Sequence, residues 1–223
     1  MRIRYKPWAR KELEESKFYR EHPEEIIGKW KNEFEKEQPI FLELGCGKGS
    51  FISQMASKHL ENNYIAIDLV DPMLGLAKRK VEEVYNSENK EINNVILTRF
   101  DIERINLIFN KEDEISRIYI NFCNPWPRGK HHKKRLTYTR QLEKYREFLR
   151  ENGEIYFKTD DDNLFEESLN YFKNSGFIIE KLTRDLGEEN DFWENIETEH
   201  EKMFKEQGIK IKACIARKDK LEK

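Results

Sequence analysis

Five short apolar stretches recur along this chain: PIFLELG at 39–45, NYIAID at 63–68, NVILTRFD at 94–101, ISRIYINF at 115–122 and EIYFKTD at 154–160. Each has the length of a buried strand, and helical or mixed segments separate them. This alternation predicts βαβ units, hence an α/β fold with a doubly wound, mostly parallel sheet. Phe51, Ile52, Met55 and Ala56 mark a helix after the first strand. After the second, Asp71-Pro72 supplies an N-cap and a first-turn proline, and Met73, Leu76, Ala77, Val81 and Val84 continue as a helix of about three turns. Leu164, Phe165, Leu169, Phe172 and Phe177 predict a further helix stopping near Gly176, and IIEKLTRDL and IKIKACIARK return as closing strands, one of them antiparallel. The polar interval 87–93 reads as a surface loop. Residues 1–35 divide off as a basic-aromatic N-terminal arm and helix, leaving 36–223 for the domain itself.

Composition narrows the class. The 223 residues carry 41 Lys+Arg against 43 Asp+Glu, a net charge of −2, so a polyanionic partner must be met by a local basic patch. Cys46, Cys123 and Cys214 lie far apart with no metal-ligand spacing and read as reduced thiols. No apolar run approaches the roughly 18 residues of a membrane span, and MRIRYKPWARK lacks the apolar core of a secretory signal. The expectation is a cytoplasmic protein, without metal or membrane, as monomer or homodimer.

In open parallel sheets ligands bind at the carboxyl ends of the strands, so chemistry should cluster there. The first strand runs into Glu43-Leu44-Gly45-Cys46-Gly47-Lys48-Gly49, and Asp68 ends the second, about 20 residues on, where ribose hydroxyls are read. A dinucleotide site wants a third glycine at position 50, which is serine, and Glu43 sits poorly beside phosphates. S-adenosylmethionine carries a sulfonium and an ammonium and no phosphate, so a carboxylate at Glu43 suits it. Asp101, ending the third strand, is placed to accept from an adenine amino group or to be a solvated loop acid.

The fourth strand ends in NFCNPWPRGKHHKKRLT. Asn124-Pro125-Trp126-Pro127 puts an amide at the strand end, stiffened by prolines, with an indole free to stack or to fill core. Arg128, Lys130, Lys133, Lys134 and Arg135 follow within eight residues, and beside a cofactor pocket such a run would hold a phosphate backbone. At the N-terminus Arg2, Arg4, Lys6, Arg10 and Lys11, interleaved with Tyr5 and Trp8, read as a mobile RNA-gripping arm. His131 and His132 have no Cys or Asp to complete a metal set and read as RNA contacts or solvated residues.

These motifs together resemble the bacterial tRNA (guanine-N(7)-)-methyltransferases. The likeness runs through RIRYKPWA, GKWKNEF, FLELGCGKGSFI, NFCNPWPRGKHHKKRLT, YFKTDDDNLFEESL and ENIETEHEKMF. It implies a Rossmann-like class I methyltransferase fold that uses S-adenosylmethionine to methylate a guanine in the tRNA variable loop. By that resemblance Glu43, Gly45, Gly47, Asp68, Asp101 and Asn124 contact the cofactor. Arg128, Asp160, Thr198, Glu199, His200 and Glu201 would handle substrate, with Asn124 and Asp160 nearest the chemistry. Three positions depart from the family pattern: Asn124 replaces the usual Asp, Thr198-Glu199-His200-Glu201 replaces T-x-Y-E, and Arg128 stands where lysine is frequent.

The chemistry tolerates the first departure. Guanine N7 presents an in-plane lone pair and loses no proton when it attacks, so no general base is required; in-line positioning and acids such as Asp160, offsetting the developing ring charge, suffice. Asn-Pro-Trp also resembles the Asn-Pro-Pro-aromatic turn of base amino-methyltransferases, which leaves methylation of an exocyclic nitrogen as the nearest alternative. A non-catalytic tRNA-binding partner of the same fold is a second.

Overall fold

A computed structural model describes residues 5–188 and 192–220. The chain divides into two compact units, one ending at Asp113 and the other starting at Glu114.

The first unit contains α1 (Pro7–Glu14), β1 (Tyr19–Arg20), β2 (Ile40–Leu44), α2 (Ser50–Lys58), β3 (Asn63–Asp68), α3 (Asp71–Ser87) and β4 (Val95–Arg99). Its strands pair in the order β1-β4-β3-β2, all parallel. Tyr64, Ile65, Ala66 and Ile67 of β3 are completely buried. Such burial on both faces is why a central parallel strand reads as one apolar run without alternation.

Helix α3 is longer than its apolar spacing suggests, 17 residues against about three turns, and Val70 rather than Asp71 is its N-cap. Its buried stripe is Leu74, Ala77, Val81 and Tyr85, and the Tyr85 hydroxyl closes it with a 2.6 Å bond to Asn94 Oδ1. The outer face is charged, with Lys78–Glu82 paired at 2.7 Å, and such one-turn pairs carry a helix past its last aliphatic residue.

The described part of the N-terminal segment is anchored. Pro7 opens α1, and Ala9 and Leu13, one turn apart, are its buried residues. Gly75 admits α1 against α3: a Cβ there would lie 2.7 Å from Ala9 Cβ and 2.9 Å from the Trp8 ring. The Arg79 guanidinium covers Trp8 at 3.5 Å, and Arg10 is held by Glu14 and Glu21. Arg2 and Arg4 lie outside the described residues. Further on, the Asp113 carboxylate accepts from the backbone N–H groups of Gly28, Trp30 and Asn110 at 2.9–3.3 Å, and the Trp30 indole donates to Ile108 O at 2.7 Å.

The second unit contains β5 (Ile115–Asn121), α4 (Thr139–Phe148), β6 (Leu149–Thr159), α5 (Asp162–Asn174), β7 (Phe177–Thr183), α6 (Glu199–Glu206) and β8 (Lys212–Lys218). The order is β5-β6-β8-β7, with β5 parallel to β6 and β8 antiparallel to both its neighbours. Strand β6 begins at Leu149, five residues before EIYFKTD. Phe157 packs on Phe165 and Phe172 at ring separations of 6.1 and 6.2 Å, which seats the apolar face of α5 on the strand.

Candidate active site

The glycine turn between β2 and α2 is built from three left-handed glycines, Gly45 at φ 79°, Gly47 at 55° and Gly49 at 78°. A side chain would be strained at each. Their surroundings differ. A Cβ on Gly49 would lie 2.8 Å from Ala77, so this glycine lets the start of α2 approach α3. A Cβ on Gly45 or Gly47 would meet nothing within 4 Å. Beside those two the backbone borders open space, as a ligand-cradling turn requires.

Asp68 ends β3 facing this turn, its Oδ2 accepting from Gly47 N at 2.9 Å and its Oδ1 from Val70 N at 3.2 Å. Burial raises its carboxyl above the ordinary aspartate value, against the lowering effect of those N–H groups. Glu43, at the end of β2, is 2% exposed. Asp101 caps the short 3-10 turn after β4, Oδ1 accepting from Glu103 N at 2.9 Å. An open glycine cradle with Asp68 on its backbone and a buried glutamate two residues ahead fits the cationic, phosphate-free S-adenosylmethionine.

In the second unit the strand-end turn is contorted. Phe122 (φ 52°) and Trp126 (φ 44°) are left-handed without being glycine, and backbone strain of this kind clusters at functional sites. A following proline disfavours the helical region for Asn124, and Asn124 Oδ1 accepts from Trp126 N at 3.0 Å. An aspartate would make the same bond. The Trp126 ring is half-buried, with Lys134 Nζ over its face at 5.0 Å and His131 edge-on at 5.8 Å.

The basic run is not uniform. Arg128, Lys130, Lys133 and Lys134 are exposed. Arg135, expected to hold phosphate with them, is 1% exposed and committed inward to Pro125 O, His132, Asn163 and Glu167. Burial would raise the Glu167 carboxyl, but the hydrogen bond and charge of Arg135 outweigh it and hold it low.

Three consecutive aspartates follow β6. Asp161 caps α5 through Leu164 N at 2.6 Å, and Asp162 pairs with Lys212 at 2.7 Å. The Asp160 carboxylate makes no hydrogen bond or ion pair among the described residues, while its carbonyl accepts from Lys212 Nζ at 2.9 Å. Of the three, Asp160 is therefore the one with its charge available.

The segment 198–201 is divided too. Thr198 is the N-cap of α6, Oγ1 accepting from Glu201 N at 3.2 Å. Glu199 and His200 are exposed, the imidazole stacked on Phe122 and Phe204 at 6.3 and 6.4 Å. Glu201 points away from solvent, 0% exposed, and pairs with the equally buried Lys158 at 2.8 Å. Lys158 Nζ also donates to Asn195 Oδ1 at 2.8 Å and Ile196 O at 3.0 Å. Sequence reasoning missed Lys158 and the cap. The cap had a signal, since Thr-x-x-Glu ahead of a helical stretch is a capping box; a lysine in a strand whose partner lies 43 residues on had none.

No group of three or more His, Cys, Asp or Glu among the described residues is arranged to hold a metal, and no helix among them is long and apolar enough to cross a membrane. The three cysteines are free, and burial pushes their thiols up, that of Cys123 to about 12. A thiol that stays protonated at neutral pH is a poor nucleophile, so cysteine-based attack on a base is disfavoured.

A family model described as a putative methyltransferase matches residues 37–214. A tRNA (guanine-N(7)-)-methyltransferase of Clostridium botulinum (strain Eklund 17B / Type B) is 59% identical over 98% of this chain and 100% of its own. A relative of the same name from Acetivibrio thermocellus is 49% identical over 98% of this chain and 100% of its own. Among solved structures, the 16S rRNA methyltransferase KamB superposes with a TM-score of 0.63 at 11% identity, covering 86% of this chain and 93% of that one. An S-adenosylmethionine-dependent methyltransferase from Methanosarcina mazei gives 0.56 at 14%, covering 84% and 96%. The structural likenesses establish the Rossmann-like class I methyltransferase fold, and the full-length sequence likenesses establish the family: this chain belongs to the tRNA (guanine-N(7)-)-methyltransferases.

Proposed function

We propose that this protein methylates N7 of a guanine in the variable loop of tRNA, in the cytoplasm, with S-adenosylmethionine as donor. The observation that carries the reading is the match to relatives of that name along 98% of this chain and the whole of theirs. Glu43, Gly45, Gly47, Asp68 and Asp101 are the cofactor residues of this reading. The glycine turn leaves room for the donor's backbone-hugging part, and Asp68, already oriented by Gly47 N, accepts from ribose hydroxyls. The donor supplies an electrophilic methyl group.

The remaining residues serve the base and its RNA. N7 attacks with a lone pair and carries no hydrogen, so positioning and electrostatics replace general-base chemistry. Asp160, its carboxylate uncommitted among the described residues, is assigned to the positive charge that develops on the ring. Arg128, Lys130, Lys133 and Lys134 are assigned to phosphates, and Glu199 and His200 to the nucleotide, with Thr198 holding their helix start. Asn124 shapes the turn that carries Trp126.

Amino-group methylation is less well supported, because Asn124 Oδ1 has one lone pair already taken by Trp126 N, leaving less acceptor capacity for an exocyclic NH₂. Incubation of unmodified tRNA with the protein and labelled S-adenosylmethionine, followed by nucleoside analysis, tests the reading. Label in 7-methylguanosine supports it; label in an amino-methylated base supports the alternative; absence of transfer despite cofactor binding supports a non-catalytic partner.

A further inference from the structure

Arg135 is the inward-facing member of an otherwise exposed basic run, and its bonds are unusually varied. Nε donates to Pro125 O at 2.7 Å, Nη1 to Glu167, and Nη2 to Asn163 Oδ1 at 2.9 Å and towards His132 Nε2 at 3.1 Å. A guanidinium has only donors, so in this contact His132 Nε2 is the acceptor, while His132 Nδ1 lies 3.2 Å from Glu167. The side chain thus links three places: the Asn124-Pro125 turn at the start of the basic loop, His132 within the loop, and the first two turns of α5. Helix α5 is capped by Asp161, the residue after Asp160.

We infer that Arg135 is a positioning residue for methyl transfer, fastening the Asn124-Pro125 turn and the 128–134 loop to the helix that follows Asp160. The inference rests on the function proposed above. Its physical basis is that a planar five-donor fork bridges a backbone carbonyl, a carboxylate, an amide and an imidazole at once, which neither lysine nor a neutral side chain reproduces. Both Phe122 and Trp126 sit in left-handed conformations that need surrounding structure to hold them, and the Pro125 carbonyl bond acts between the two. Because Arg135 is 1% exposed, it has no surface with which to meet a phosphate.

Arg135→Met, Arg135→Lys and the milder Asn163→Ala are compared with wild type in two assays. Trypsin digestion without tRNA reads the order of the loop, which offers cleavage after Arg128, Lys130, Lys133 and Lys134. Single-turnover methylation at saturating tRNA reads positioning, alongside tRNA affinity and its salt dependence. The expected result is faster cleavage in the loop and a single-turnover rate reduced about 10- to 100-fold for Arg135→Met. Arg135→Lys gives little rescue, Asn163→Ala shifts both readouts the same way by less, and the slope of tRNA affinity against salt is unchanged. Unaltered cleavage in the folded variants overturns the anchoring, and altered cleavage with a wild-type rate overturns the positioning role. A flattened salt slope with a normal rate returns Arg135 to the phosphate contacts. Should Arg135→Met fail to fold, Asn163→Ala decides by the same criteria. Wild type that transfers no methyl to tRNA counts against the proposed function, whereas the cleavage assay judges the anchoring by itself.

Discussion

Replacing Lys158 by methionine should be among the most damaging single changes in the second unit. The side chain is 1% exposed, and each proton of its ammonium has an acceptor: Asn195 Oδ1, Ile196 O and Glu201 Oε2, at 2.8, 3.0 and 2.8 Å. Glu201, 0% exposed, keeps a 2.7 Å bond from Asn195 Nδ2 and a half-exposed Lys205 at 3.4 Å, which cannot replace the buried partner. Removing one member of such a pair leaves a charge stranded in low dielectric and costs about 3–5 kcal/mol. For a chain of this size that corresponds to a melting temperature lowered by about 6–20 °C. Glu201→Gln should be costly as well, since it leaves the Lys158 charge buried without a counter-charge and puts an amide donor against either Lys158 or Asn195 Nδ2. The double variant Lys158→Met/Glu201→Gln removes both charges and should recover a good part of the Lys158→Met loss. Thermal and urea unfolding of wild type, both single variants and the double variant close the cycle. Strict additivity, or a Lys158→Met cost below about 1 kcal/mol, would refute the claim that this pair is a buried, mutually dependent unit holding the 195–201 segment.

Other expectations follow from the same geometry. Asp68→Ala should weaken S-adenosylmethionine binding by about 1–3 kcal/mol, read by calorimetry, with tRNA affinity little changed. Because burial raises the Asp68 carboxyl, its ionised form is lost on acidification from above the usual aspartate range; cofactor affinity measured against pH should fall from that higher point and hold above it. Lys133→Ala/Lys134→Ala should weaken tRNA binding and reduce its log-log salt slope by up to about two units, one per phosphate contact, leaving cofactor affinity intact. Asn124→Asp keeps the acceptor for Trp126 N and should stay within about tenfold of wild type in single-turnover rate, whereas Asn124→Ala releases the turn and should lose a few kcal/mol of transition-state stabilisation. Equal rates for the two variants would contradict that assignment.

The parts of the fold written in local periodicity were legible. β2 to β6 stand out as apolar runs because parallel strands are buried on both faces, and the glycine turn is marked because three left-handed positions, at every second residue from 45 to 49, favour glycine. β1, two residues long, has no period to detect, and Pro7 with Ala9 and Leu13 one turn apart marks α1 less loudly than the basic and aromatic residues around it. At the candidate site the sequence marks residue types but not orientations. Nothing in HHKKRLT distinguishes Arg135, turned into the protein, from Lys133 and Lys134, turned out, because the difference lies in Asn163 and Glu167 some thirty residues later. Glu201 is the same case: the motif singles it out, while its burial is decided by Lys158 on another element. The hydrogen bond from Trp126 N ties Asn124 into the turn, a contact the amide's identity alone left open.

The proposed reaction modifies one atom of one nucleotide. Borohydride and aniline treatment cleaves RNA at 7-methylguanosine, so an unmodified tRNA transcript methylated by the purified protein and then cleaved should yield a single scission, within the variable loop. Cleavage should depend on S-adenosylmethionine and develop about 10²- to 10³-fold more slowly with Asp160→Ala. Methyl transfer without scission, or scission at a guanine elsewhere in the molecule, would contradict it.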